Sequence, residues 1–138
     1  MPQVINIQKE MDKRTFLEGR HVNTPPEELE AAFATLANYR DGGIFAGGFS
    51  GTSRWERHRN GDEIVHILSG ATRLTIKNQR GAETFELTAG MMIIVPQGCW
   101  HRFESENGVR VMTVTPQPTD HTAADDPNET ARHPSQGT

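Results

Sequence analysis

The chain has 138 residues, 34% of them hydrophobic, and 14 Lys and Arg against 18 Asp and Glu give a formal net charge of −4. That length suits one domain with one modest core. The acidic balance supplies no basic field for nucleic acid or an anionic membrane, and a lone Cys99 excludes an internal disulfide.

No apolar run reaches the length of a membrane span, and the opening MPQVINIQKEMDKR lacks the apolar core of a signal peptide. The expectation is a cytoplasmic protein with no membrane or nucleic-acid partner. Residues 1–40 read as an arm followed by a helix. Thr24 can cap, Pro25 and Pro26 suit a first turn, and Glu27, Glu28 and Glu30 sit near the positive helix end. Leu29, Phe33 and Leu36 keep helical spacing, which predicts a helix over Pro26–Tyr39.

Residues 41–116 change character. Glycine recurs at short intervals, and between the glycines lie strand-like runs: GIFAGGF, EIVHILSG, TRLTIK, TFEL, MMIIVP, HRFESE and VRVMTVT. Many short strands with glycine-rich turns predict an all-β sandwich or barrel. GGIFAGG lacks the lysine and the helix of a phosphate cradle, so strand and turn geometry accounts for it.

Two stretches within this zone carry the chemistry. In WERHRNGDEIVHILSG, Asn60-Gly61 is a strong hairpin signal, because both residues tolerate positive φ. A two-residue turn there pairs His58 with Glu63 and puts Glu56, His58 and Glu63 on one face, with opposite Cβ atoms ~5 Å apart. Val65 and Ile67 continue that face, and His66 points the other way. Two readings stay open: a solvated hairpin with ordinary His–Glu pairs, or side chains converging on a metal. Arg57 and Arg59 read as surface charges. In GMMIIVPQGCWHRFES, Pro96-Gln97-Gly98 reads as a turn between strands and His101 opens the second strand. Trp55 and Trp100 precede Glu56 and His101 by one place, which assigns them to outer-face packing or subunit contacts. Cys99 reads as a packed cysteine.

The two stretches together resemble the cupin family. Its first motif runs glycine, five residues, His-x-His, three or four residues, Glu, six residues, glycine; Glu56, His58, Glu63 and Gly70 follow that spacing. Its second runs glycine, five residues, Pro-x-Gly, two residues, His, three residues, Asn; Gly90, Pro96, Gly98 and His101 match it. Ser50 and Ser105 stand where the pattern has glycine and asparagine. The larger departure is Glu56, which stands where the pattern has its first histidine.

The resemblance implies a cupin jelly-roll β-barrel with a short N-terminal helix. It also implies a ligand set of Glu56, His58, Glu63 and His101 for a divalent ion: Fe, Mn, Ni or Zn. His58, His101 and one glutamate would reproduce a two-histidine, one-carboxylate facial set. The other glutamate is then a further ligand or a general base, with Glu56 the candidate base. Without a cation the two carboxylates repel unless one is protonated. By the same resemblance the protein is a metal-dependent enzyme on a small organic molecule, of dioxygenase, isomerase, lyase or cyclase type. The alternative is a non-catalytic binding or sensing module. A homodimer is also implied, with Trp55, Ile64, His66 and Leu68 available for a sheet-to-sheet contact.

The last zone, residues 117–138, contains no large apolar residue. Such a segment cannot bury enough surface to offset its ordering entropy, and a flexible, dispensable tail is the expectation.

Overall fold

A computed structural model describes residues 2–128. Two short helices, α1 (Ile7–Asp12) and α2 (Pro26–Ala32), precede most of a nine-stranded sheet. Its strands are β1 (Leu17–Arg20), β2 (Phe33–Tyr39), β3 (Gly42–Thr52), β4 (Trp55–His58), β5 (Glu63–Asn78), β6 (Gly81–Thr88), β7 (Met92–Val95), β8 (Trp100–Pro116) and β9 (Thr119–Thr122).

The path β1-β3-β8-β4-β9 runs through the sheet, and β5 joins it by pairing with β8 while also holding β6 and β7. The runs expected as separate strands fuse into two long ones, β5 and β8. Their register shifts between Ile67 and Ser69 and between Gly70 and Arg73. Glycine permits this bend: Gly70 sits at φ +76°, and a Cβ there would strike the carbonyl oxygen of Gly108. The bent strands carry the sheet around a jelly-roll core of Leu17, Phe49, Val65, Ile67, Leu74, Val95, Phe103, Val109 and Val111. A second apolar cluster lies under α1, where Met11 meets Ala34, Leu36 and Ala46, with Leu68 and Met112 packed against it.

Three expectations change. The helix predicted over Pro26–Tyr39 stops at Ala32, and Phe33–Tyr39 is strand β2, paired antiparallel with β3. The Leu29, Phe33, Leu36 spacing fits a helix, but a long open β3 edge recruits the second half into the sheet. The Asn60-Gly61 hairpin does not form: β4 pairs with β8 and β9, and β5 with β6, β7 and β8. Neither Asn60 nor Gly61 has positive φ. Instead the link is tied to the Pro96–Gly98 turn. The Gln97 side chain donates to the Arg59 carbonyl, and the Gln97 N–H donates to Asp62.

The third change concerns the segment after Pro116. Thr119–Thr122 forms β9, every residue of it buried, pairing Trp55, Glu56, Arg57 and His58 with Thr122, His121, Asp120 and Thr119. What anchors it is charge rather than apolar area. Asp120 Oδ2 accepts from Arg57 Nε at 2.9 Å and also meets Arg57 Nη2 at 2.8 Å and Arg59 Nε at 3.1 Å. Arg57 and Arg59 are therefore latches, not plain surface charges. The expectation for residues 129–138 lies outside the described residues.

The tryptophans do pack on the outer face, each under an arginine: Arg102 over Trp55 at 4.6 Å and Arg57 over Trp100 at 4.5 Å. Both rings are buried, and Leu68 is partly buried against the second cluster.

Candidate metal centre

Strand alternation aims His58 from β4, Glu63 from β5 and His101 from β8 into the barrel, and each is buried. One ligand atom from each lies within 4.8 Å of the others. His101 Nε2 stands 3.0 Å from Glu63 Oε1, and His58 Nε2 stands 3.3 Å from Glu63 Oε2. Despite these approaches, His58 Nε2, His101 Nε2 and Glu63 Oε1 have no hydrogen-bond partner of sound geometry among the described residues.

The other atoms of these groups are held in place. His101 Nδ1 lies 3.2 Å from the Cys99 carbonyl, an acceptor only, so Nδ1 carries a proton and Nε2 is the nitrogen turned toward Glu63. The Pro96–Gly98 turn, with Gly98 at φ +79°, delivers that carbonyl. His58 Nδ1 lies 3.0 Å from the Thr119 hydroxyl, which donates to the Gln117 side chain at 3.3 Å. Glu63 Oε2 accepts from the Thr115 hydroxyl at 2.6 Å, and Thr115 is in turn bonded to Thr113. Metal-binding imidazoles are commonly oriented through the ring nitrogen that does not bind.

Charge within this cluster is strongly coupled. Burial pushes the Glu63 carboxyl up, but His58 and His101 together outweigh it and hold Glu63 well below the usual carboxylate range. Burial pushes His101 down, and the Glu63 carboxylate, helped by Glu56 and the Cys99 carbonyl, pulls it above the usual value. The cluster thus holds a buried anion against the His101 imidazole, which attracts a proton. A divalent cation can take the place of that proton. Two imidazole nitrogens and a carboxylate, preoriented, buried and with their free lone pairs unsatisfied, fit such an ion.

Glu56 stands beside this trio rather than within it. It is buried and lines the same cavity as Glu63, and its Oε2 lies 3.7 Å from His121 Nδ1. Both of those atoms also lack a hydrogen-bond partner among the described residues. Burial lowers the His121 pKa against the pull of Glu56, which favours the neutral ring. His121 and Thr119 escaped sequence reasoning, because β9 carries no hydrophobic signal; alternation in TDHT was the available hint.

The Cupin domain model matches residues 45–115, more than half of the chain. The chain belongs to the cupin family. Its fold is shared with a cupin-2 domain containing protein from Shewanella frigidimarina NCIMB 400, at a TM-score of 0.62 and 18% identity over 83% of this chain and 95% of that one. A hydroquinone 1,2-dioxygenase from Sphingomonas sp. TTNP3 follows at 0.55 and 14% identity, over 78% and 86%. A cupin superfamily protein from Desulfitobacterium hafniense DCB-2 gives 0.53 at 19% identity, over 60% and 73%. These likenesses establish the fold alone. No curated protein sequence matches this cupin. Three of the four cupin motif positions, His58, Glu63 and His101, form the tight cluster, and the departing one, Glu56, turns toward a histidine from β9.

Proposed function

We propose that this cupin is a mononuclear divalent-metal enzyme acting on a small oxygen-bearing organic molecule. The observation that carries the reading is the buried His58–Glu63–His101 cluster with its unsatisfied lone pairs. These three residues would hold Fe, Mn, Ni or Zn, with Glu56 as a further ligand or the general base. The ion, when bound, supplies Lewis acidity or a site for dioxygen.

The chain's own residues do the rest. The Cys99 carbonyl and Thr119 fix the imidazoles, and Thr115 fixes Glu63. Phe33, Phe45, Phe49 and Phe103 line the cavity beside Glu56 and Glu63, limit the water there and strengthen every charge interaction within it. The cavity measures about 20 Å³, room for one water-sized group. Glu56 Oε2, directed at His121 Nδ1, can accept a proton from substrate at a position where a neutral imidazole stands ready to share it. Dioxygenation is one reaction open to this donor set, and a hydroquinone 1,2-dioxygenase shares the fold.

The test is metal content. Protein purified without added metal, then offered Mn, Fe, Ni and Zn in turn, should take up one ion per chain, and His101→Ala and Glu63→Gln should take up none. Failure to bind any of the four at neutral pH would leave a metal-free binding module. We further propose a homodimer. The apolar surface proposed for it is half-exposed Met92 and Ile94 on β7, beside Ile64 and His66.

A further inference from the structure

Strand β4 lies between β8 and β9, and its Glu56 is paired with a histidine on each side: His101 on β8 and His121 on β9. Directly opposite side chains share a face and have Cβ atoms about 5 Å apart, so a glutamate there can turn its carboxylate to either ring. The two choices differ chemically. Turned to His101, Glu56 would join the trio and offer a fourth ligand. Turned to His121, it stays out of the ligand set.

The structure holds the second arrangement. Glu56 Oε2 lies 3.7 Å from His121 Nδ1, whereas the ligand atoms that gather within 4.8 Å of one another come, among the described residues, from His58, Glu63 and His101. Glu56 Oε2 and His121 Nδ1 are both buried, and neither has a hydrogen-bond partner among the described residues. A small closure of the gap between them satisfies both, and a buried polar atom left unpaired is costly. His121 is itself fixed by its strand. Its neighbour Asp120 is gripped by Arg57 and Arg59, and Thr119, two places earlier on the same face, stands 3.0 Å from His58 Nδ1. The latch that seats β9 therefore also seats His121 against Glu56.

We propose that His121 is a positioning residue that withholds Glu56 from the metal. It rests on the metal reading above and deepens it: the ion has His58, Glu63 and His101 as its protein ligands, and β9 decides that Glu56 is not a fourth. Three protein ligands leave coordination positions open for substrate or water, which a fourth would narrow. A second coordinating carboxylate would also cut the net positive charge of the ion and weaken it as a Lewis acid. Held off the ion, Glu56 keeps its carboxylate for a proton.

The probe is manganese alone, with free ion read by electron paramagnetic resonance and metal-bound water by water-proton relaxation. His121→Leu releases Glu56 and should bind manganese roughly tenfold or more tightly than wild type, with weaker relaxation enhancement as the carboxylate displaces a bound water. His121→Asn, whose amide nitrogen can stand where Nδ1 stands, should match wild type in both readouts. Adding Glu56→Gln to His121→Leu should abolish the gain, since the tightening comes from the freed carboxylate. His121→Val, which suits a strand and is too short to reach Glu56, serves if His121→Leu fails to fold. A histidine that merely props up the barrel would weaken manganese binding when replaced, and that result overturns the proposal. So does unchanged affinity in His121→Leu, or a gain that persists with Glu56→Gln. Manganese uptake indifferent to His121 would sink this inference and keep the metal reading; no uptake by wild type or any variant would sink both.

Discussion

Replacing Asp120 with alanine should separate β9 from the barrel. The Asp120 side chain is 1% exposed and receives Arg57 at 2.8 and 2.9 Å and Arg59 at 3.1 Å. Removing one partner of a buried ion pair costs about 3–5 kcal/mol, because the other charge is left uncompensated. Here Arg57 is 25% exposed and Arg59 50% exposed, so water recovers part of that loss. The lower end, about 3 kcal/mol, is expected. At roughly 3–4 °C per kcal/mol for a chain of this size, the melting temperature should fall by about 10 °C. Asp120→Asn keeps the volume and some hydrogen bonding and should cost about 1–2 kcal/mol. Thermal and urea denaturation followed by circular dichroism measure both. Because the carboxylate is buried, the difference from wild type should survive about 1 M salt, which screens exposed pairs. A melting temperature for Asp120→Ala within about 2 °C of wild type would refute the latch. A deficit that vanishes in high salt would show the pair to be a surface one.

Thr119→Val keeps the shape of β9 but removes the hydroxyl beside His58 Nδ1; metal affinity, titrated against a competing chelator, should fall about 10–100-fold with a smaller loss of stability than Asp120→Ala. In metal-free protein the raised pKa of His101 contributes stability that is complete below the ordinary 6.5 and lost as pH rises through the raised value. His121, whose pKa is lowered, is neutral in both states above 6.5 and adds no slope there. The melting temperature of metal-free protein should therefore decline as pH rises above 6.5, and apparent metal affinity should climb over the same range as the competing proton leaves. The depressed Glu63 carboxyl acts in acid, contributing stability above the ordinary 4.5 that is lost as pH falls further, so Glu63→Gln should flatten the acid side of the profile. Glu56→Gln should bind metal within about tenfold of wild type and lose turnover if Glu56 is the base; loss of metal instead would make it a ligand. Ile94→Glu should convert a dimer to a monomer in light scattering without lowering stability, since Ile94 is 53% exposed.

His58, Glu63 and His101 were legible by themselves: two motifs at fixed spacing, on strands whose side chains alternate, fix which residues face inward whatever the partner strand turns out to be. That is why the cluster forms although the Asn60-Gly61 hairpin expected to build it does not. Glycine recurring through residues 41–116 likewise pointed to the all-β class, because glycine weakens a helix, although Gly70 and Gly108 prove to bend long strands rather than end them. Three matters were decided only in the folded chain. Phe33 to Tyr39 suits helix or strand about equally, and the open edge of β3 makes the choice. Arg20 looks like any surface arginine until β1 lies parallel to β3 and carries it over Phe49. And Thr119–Thr122 has no hydrophobic pattern to read. Its burial depends on Arg57, Arg59 and His58, some sixty residues earlier, and complementarity of charge across that separation exists only once the tertiary structure has brought the two strands together.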